Sequence, residues 1–271
     1  MHSRTLGVAL IALAGLATLS GCIIVSRTDA SLVDAMSGPS ETRTLTVPHV
    51  PGSRLDVRTR NGSVEVRQGG TDDVQVTATI RARNQERLSK TLFTARRDAE
   101  GALEVRVEWP DGPKSGEGAS IVVITPSAPK VSAVSSNGDL LIEADSAHVD
   151  ARSSNGDIVV RAPRAAVTAV SSNGRVQLEG VATADVITSN EGVTVNMAPD
   201  AAGPLVIRTS NGPVDVNVGP AFAGLLRAGT SNAPMTVGVG RAVARQGGFD
   251  FGAGATSVVR TSNAPIRVRG S

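Results

Sequence analysis

From residue 131 onward, apolar and polar side chains exchange places every second residue. That is the period of a strand with one face turned in and one turned out. A short motif punctuates the alternation: a hydroxyl residue, Ser, Asn, then Gly or a substitute. It reads Ser135-Ser136-Asn137-Gly138, Ser153-Ser154-Asn155-Gly156, Ser171-Ser172-Asn173-Gly174 and Thr188-Ser189-Asn190-Glu191. It continues as Thr209-Ser210-Asn211-Gly212, Thr230-Ser231-Asn232-Ala233 and Thr261-Ser262-Asn263-Ala264, with an earlier copy at Thr59-Arg60-Asn61-Gly62. From Asn137 the Asn-to-Asn steps are 18, 18, 17, 21, 21 and 31 residues. Three residues after the Asn stand Val64, Leu140, Ile158, Val176, Val193, Val214, Met235 and Ile266; five after it, all are again apolar. Upstream, the inward set is an apolar residue four before the Asn, the hydroxyl two before it, and the Asn itself. The parity then flips, which requires a bend or bulge. Asn tolerates the left-handed conformation such a bend can demand, and Gly adopts it freely. Glu191, Ala233 and Ala264 replace the Gly, so the Asn reads as the fixed element of the corner.

Each repeat is thus a strand, a corner, a second strand and a looser return, such as Asp145-Ser146-Ala147. One coil cannot bury its own apolar face, but coils stacked about 4.8 Å apart can. The pattern predicts an all-β chain: a single-stranded β-helix or solenoid over 131–271 with Ser/Thr-Ser-Asn-Gly corners. A β-sandwich also has alternating strands, but seldom carries one motif in phase so many times. In the stack, Asn61, Asn137, Asn155, Asn173, Asn190, Asn211, Asn232 and Asn263 would form a ladder of amides. Residues 45–130 predict an N-terminal β-hairpin extension that begins and caps the stack, since bare sheet edges invite aggregation. Its strands fall at 54–58, 64–67, 74–83, 102–108 and 120–125, with one short helix at 86–92. The Gly-rich stretch 246–254, with Phe249 and Phe251, reads as a loop packed on the stack.

The chain begins differently. Met1, His2 and Arg4 precede an apolar run over 6–19, which ends in Leu19-Ser20-Gly21-Cys22. This is the layout of a secretory signal peptide, and the run is shorter than the ~20 residues a membrane span needs. With Cys directly after the small pair, the segment resembles the bacterial lipoprotein signal. The resemblance implies removal of residues 1–21 and lipidation of Cys22, the only cysteine in the chain. Each buried CH₂ adds about 0.8 kcal/mol, and two acyl chains already anchor stably. Residues 22–44 then read as the lipidated Cys and a flexible tether, with a reach of roughly 25 Å for 22 residues. Ile23, where inner-membrane retention favours Asp, points to the outer membrane in a host that has two. The expected location is the cell envelope.

Composition narrows the function classes. The net charge is +2, with one Trp and no Tyr in 271 residues, so the aromatic platforms that bind single-stranded nucleic acid are missing. No nucleic-acid partner is expected. At this point the chain resembles the bacterial β-helical putative-adhesin family. The likeness rests on Ser136-Asn137-Gly138-Asp139-Leu140 and Ser154-Asn155-Gly156-Asp157-Ile158, with weaker copies to the C-terminus, and covers about 45–271. It implies a β-helical body behind a lipoprotein or membrane anchor and supplies no catalytic residues.

The chemistry-bearing residues are few. His49 and His148 belong to no metal-ligand spacing, and there is no second Cys for zinc. No nucleophile elbow, phosphate loop or Asp-bearing calcium repeat occurs. No cofactor and no metal are expected. Asp139 and Asp157, one coil apart, could approach to about 5 Å, like paired glycosidase carboxylates. Arg175 follows them in the row, as in a solvated charge ladder. Three residues before the Asn the outward row runs Arg58, Val134, Arg152, Val170, Ile187, Arg208, Gly229, Arg260. Val170 and Ile187, flanked by Arg152 and Arg208, form a candidate partner surface. The reading is a non-enzymatic envelope lipoprotein for adhesion or scaffolding, held by the lipid on Cys22 and meeting an envelope protein or polysaccharide. The alternatives are a polysaccharide-acting β-helix enzyme and an accessory of an envelope-stress regulatory system.

Overall fold

The alternating segments become strands in the computed structural model, which describes residues 38–240, 242–245 and 248–270. Its N-terminal part consists of β1 (Ser40–Pro48), β2 (Arg54–Arg58), β3 (Val64–Gln68), β4 (Asp73–Arg81), α1 (Gln85–Lys90), β5 (Leu92–Arg97), β6 (Leu103–Glu108) and β7 (Gly118–Thr125). Strand pairs follow, each flanking one Asn motif: β8 (Lys130–Val134) with β9 (Leu140–Glu143), β10 (His148–Ser153) with β11 (Ile158–Arg161), and β12 (Ala166–Ser171) with β13 (Val176–Val181). The next pairs are β14 (Thr183–Ile187) with β15 (Val193–Met197), β16 (Leu205–Arg208) with β17 (Val214–Val218), and β18 (Leu225–Gly229) with β19 (Met235–Gly238). A hairpin of β20 (Val243–Arg245) and β21 (Gly248–Asp250) precedes the final pair, β22 (Ser257–Arg260) and β23 (Ile266–Gly270).

The strands form two large mixed sheets. The first runs β1-β4-β7-β3-β9-β11-β13-β15-β17-β23-β19, and the second runs β20-β21-β18-β22-β16-β14-β12-β10-β8-β2-β6-β5. Each Asn motif joins a strand of the second sheet to one of the first, and within a sheet the motif strands pair parallel and in phase. Ile158 lies beside Leu140 on one side and Val176 on the other. Ala133, Ala151 and Ala169 align across β8, β10 and β12 and are fully buried. Small Ala in one sheet faces larger residues in the other, such as Ile142, Val160 and Leu178, all fully buried. Complete burial of each large aliphatic side chain contributes about 1.5–3 kcal/mol. Because the period is two, a one-residue slip would turn the whole apolar set to solvent, which pins the register.

Spatial order departs from chain order at both ends. The pair β2/β3 lies between β6/β7 and β8/β9, so the chain lays one strand pair, steps outward and then returns past it. At the other end β22/β23 sits between β16/β17 and β18/β19, so the last repeat is an interior layer. Sequence gives no sign of this, because every repeat carries the same edges.

The N-terminal end is closed by antiparallel additions. β1 pairs with β4 and β4 with β7, while β5 pairs with β6. Strand β1 begins at Ser40, inside the segment expected to be tether through residue 44. Its Thr42, Thr44 and Thr46 alternate with Arg43, Leu45 and Val47 and complete a nine-residue pairing with β4. Strand β5, absent from the sequence expectation, is a half-buried edge strand with weak alternation. The helix starts where the Asn84 side chain accepts from Arg87 N at 2.9 Å. It ends at Lys90 because Thr91 is extended (φ −73°, ψ 127°), two residues short of the expected end. Leu88 is its buried anchor, and Arg43 of β1 donates to the Leu88 carbonyl at 2.8 Å and to that of Thr91. Arg87 reaches across to Glu117, whose side chain is fully buried. The carboxylate accepts from Arg87 Nε at 2.6 Å and Nη2 at 2.9 Å and from Lys114 N at 2.7 Å. The bonds from Arg87 outweigh burial and hold Glu117 far below the usual carboxylate range, at about 2.

The Gly-rich stretch near the C-terminus is strand over 248–250 and loop over 251–254. Its residues supply β21, which pairs antiparallel with β18 and extends the second sheet. Phe251 is buried edge-on to Phe222, with ring centroids 5.1 Å apart.

Candidate binding surface

The motif positions its side chains through three kinds of contact. The hydroxyl two residues before the Asn is buried in six motifs, among them Ser135, Ser153, Ser171 and Thr188, which lie in successive layers. Each donates to the carbonyl that follows the Asn one coil back: Ser135 to Gly62 at 2.9 Å, Ser153 to Gly138 at 3.0 Å, Ser171 to Gly156 at 3.2 Å. The same oxygen accepts from its own coil's Gly, at 3.0 Å for Gly156 N to Ser153 and 2.9 Å for Gly174 N to Ser171. A buried hydroxyl paired in this way avoids the 1–3 kcal/mol cost of an unsatisfied group.

The Asn side chains lie outside. All from Asn137 onward are exposed, which corrects the expectation that they face inward. Their amides make a one-way chain in which each Nδ2 donates to the Oδ1 of the preceding layer. Asn137 donates to Asn61 at 2.6 Å, Asn155 to Asn137 at 2.6 Å, Asn173 to Asn155 at 2.7 Å, and Asn190 to Asn173 at 2.6 Å. Asn211 donates to Asn190 at 3.1 Å, Asn263 to Asn211 at 2.9 Å, and Asn232 to Asn263 at 2.7 Å. The order 211, 263, 232 follows the interior position of the last repeat. Asn61 begins the chain by donating to the Glu117 carbonyl at 2.8 Å.

The glycines serve close approach. A Cβ on Gly156 would overlap the Gly138 carbonyl and come within 2.8 Å of Asp139 N; on Gly174 it would overlap the Gly156 carbonyl. None of the motif Asn residues, and none of Gly138, Gly156, Gly174 and Gly212, has a positive φ. The left-handed corner expected from the sequence is therefore not used. What restricts the position after the Asn at Gly138, Gly156, Gly174 and Gly212 is the backbone of the neighbouring layer.

The outward row of the second sheet is continuous in register: Arg106, Arg58, Val134, Arg152, Val170, Ile187, Arg208, Arg260, Gly229. The structure brings Val170 and Ile187 side by side, with Ile187 43% exposed and Val170 half-buried. Arg152 and Arg208 flank them and are exposed. Two residues upstream a second row carries Glu104, Asp56 and Asp150, each paired to the Arg of its own strand: Arg106 to Glu104 at 2.8 Å, Arg58 to Asp56 at 2.9 Å, Arg152 to Asp150 at 2.9 Å. The hydrogen bonds it donates to the Asp150 carboxylate hold the Arg152 guanidinium above its ordinary pKa. On the first sheet, Leu141 and Val159 lie together, half-buried, beside a charge ladder. There Arg161 bridges Glu143 and, at 3.0 Å, Glu179.

Asp139 and Asp157 do lie one layer apart, but their oxygens serve the backbone. Asp139 Oδ1 accepts from Asp157 N at 2.9 Å, and Asp157 Oδ1 accepts from Arg175 N at 2.8 Å. His49 Nε2 meets Ser127 Oγ at 3.1 Å, and His148 is exposed at the start of β10. Among the described residues no group of three or more His, Cys, Asp or Glu gathers as metal ligands. Cys22, the signal segment and residues 23–37 of the expected tether lie outside the described residues.

No family model and no curated protein matches the chain. Solved structures that resemble it include a putative cell adhesion protein from Clostridium sporogenes, at 11% identity over 86% of this chain and 100% of that one, with a TM-score of 0.39. A putative adhesin from Bacteroides fragilis shares 14% identity over 85% of this chain and 97% of that one, with a TM-score of 0.40. A putative lipid binding protein from Parabacteroides distasonis shares 11% identity over 86% and 95%, with a TM-score of 0.37. Likenesses this distant leave the functional argument to the chain's own residues.

Proposed function

We propose that this chain is a lipid-anchored envelope protein whose β-solenoid body presents a side-chain surface for non-enzymatic adhesion or scaffolding. The observation that carries the reading is the in-register outward row of the second sheet. There Val170 and exposed Ile187 sit between two arginines on a rigid, hydrogen-bonded frame. Exposed aliphatic residues held at strand spacing favour a partner of complementary shape. The parallel pairing of the motif strands and the one-way amide chain support the solenoid reading of the architecture. The Cys22 lipobox supports the anchor.

Two measurements test this. In cells fed labelled palmitate, the wild-type chain takes up label and Cys22→Ser does not; equal labelling of both removes the anchor. Beads coated with the purified chain retain isolated envelope fragments, and the double variant Val170→Asp/Ile187→Asp loses that retention at least tenfold while its β circular dichroism is unchanged. Retention equal to wild type in the folded double variant would refute the surface.

A further inference from the structure

The arginines of the outward row fall into two classes. Arg106, Arg58 and Arg152 each have an acid two residues upstream on the same strand and are ion-paired to it. On β16 and β22 the upstream places hold Val206 and Val258, and on β18 the upstream place holds Arg227 itself. Arg208, Arg260 and Arg227 are exposed. Among the described residues their side chains have no ion pair and no hydrogen bond. Arg208 and Arg260 are register partners on adjacent strands, about 4.8 Å apart in the pairing direction. Arg227 lies one strand further on, beside Val258. Like charges placed across a strand pair destabilise it, and an anion bound at this end of the sheet would offset that repulsion.

The shape suits one. The third strand of the row carries Gly229, beside Arg260, and nothing lies within 4 Å of where a Cβ would stand there. Gly229 lies in the wall of an open recess of about 730 Å³, lined by Arg227, Arg260, Thr230, Ser231 and Ser262 among others. Guanidinium forks bind carboxylate and phosphate bidentately, and hydroxyls supply the remaining donors.

We propose that this recess binds the anionic groups, carboxylate or phosphate, of an acidic envelope glycan. The proposal names a ligand class for the presenting surface and rests on the adhesive reading in that respect. A lipid headgroup offers similar chemistry but fits the placement less well. The chain enters through β1, at the edge of the first sheet nine strand steps from β23. At strand spacing this is roughly 43 Å, so an anchor upstream of Ser40 attaches to the opposite end of the stack from the arginines.

The test titrates the full chain, in detergent, with polygalacturonate, polyphosphate, glycerol phosphate and neutral dextran. Binding of polygalacturonate or polyphosphate is expected, falling steeply with salt as exposed charges are screened. The stronger of the two names the anion. Arg227→Gln/Arg260→Gln lowers that affinity at least tenfold, and Arg106→Gln, whose arginine is already paired, leaves it unchanged. The proposal is overturned if neither polyanion binds, if dextran binds as well, if glycerol phosphate alone binds, or if the double variant binds like wild type. Envelope retention that persists in the double variant but is lost in Val170→Asp/Ile187→Asp would sink the anion site and leave the adhesive surface standing.

Discussion

Replacing Gly156 by Ala adds one methyl group at the tightest point between two layers. Its Cβ would overlap the Gly138 carbonyl and stand 2.8 Å from Asp139 N, and both are backbone with no rotamer to yield. Ordinary contact needs about 3.5 Å or more, so the two corners must part by about 1 Å. The bonds closest to that gap are Ser154 N to Ser136 O at 3.2 Å, Asn155 N to Ser136 O at 3.1 Å, and Ser153 Oγ to Gly138 O at 3.0 Å. Lengthened by about 1 Å, none remains a hydrogen bond. At about 1 kcal/mol each the loss is about 3 kcal/mol. The reduced freedom of the unfolded chain returns about 0.4–1 kcal/mol, so the net cost is about 2–3 kcal/mol. Asn155→Ala removes two amide bonds, to Asn137 and from Asn173. Those groups are exposed and water replaces the partner, so its cost is nearer 1 kcal/mol. Gly238→Ala, where nothing lies within 4 Å, serves as the neutral control. Guanidinium unfolding followed by far-ultraviolet circular dichroism ranks the three. If Gly156→Ala lies within about 0.5 kcal/mol of the parent, or Asn155→Ala costs more than Gly156→Ala, close approach is not what the glycine provides.

The inner hydroxyls make a second contrast. Ser171→Ala strips partners from the Gly156 carbonyl and the Gly174 amide and should cost about 2 kcal/mol, whereas exposed Ser172→Ala should stay within about 0.5 kcal/mol in the same assay. Acid stability tracks Glu117. Its folded pKa is depressed from 4.5 to about 2, so its contribution, on the order of 3 kcal/mol, is fully present above pH 4.5 and lost as pH falls toward 2. Thermal melts across that window should show a decline in the parent that is flattened in Glu117→Gln; parallel curves would remove Glu117 as the cause.

Much of this was legible in the sequence because period-two alternation and a repeated motif are local signals. The inward residues after seven of the eight motif Asn are buried where the pattern placed them, whereas after Asn232 Met235 is exposed and Val237 only half-buried, and strands β2, β3, β4, β6 and β7 lie within a few residues of their expected bounds. The corner was misread at one level. Alternation assigned the Asn to the inside, but the chain turns between sheets at that residue, so the parity of the preceding strand no longer applies. The glycine's role was hidden too, because the restricting atoms belong to a residue 18 positions away. Strand β5 escaped because an edge strand in a hairpin alternates weakly. Of the basic recess, the sequence showed Arg208 and Arg260 above Val206 and Val258 in place of acids. Only the insertion of β22 between β16 and β18 places Arg260 between Arg208 and Arg227.

That insertion governs how the molecule is completed. A chain leaving a ribosome or a translocation channel delivers its repeats in order, and most layers can join the growing end as they arrive. The layer containing Thr261, Ser262 and Asn263 cannot. Its neighbours on both faces, the layers of Asn211 and Asn232, are made earlier, and each bears a Thr-Ser-Asn edge that matches the other. Until the last strands arrive, these two layers compete to close on one another, and final assembly must hold or reopen that seam. The β22/β23 layer therefore acts as a wedge driven between two layers made before it.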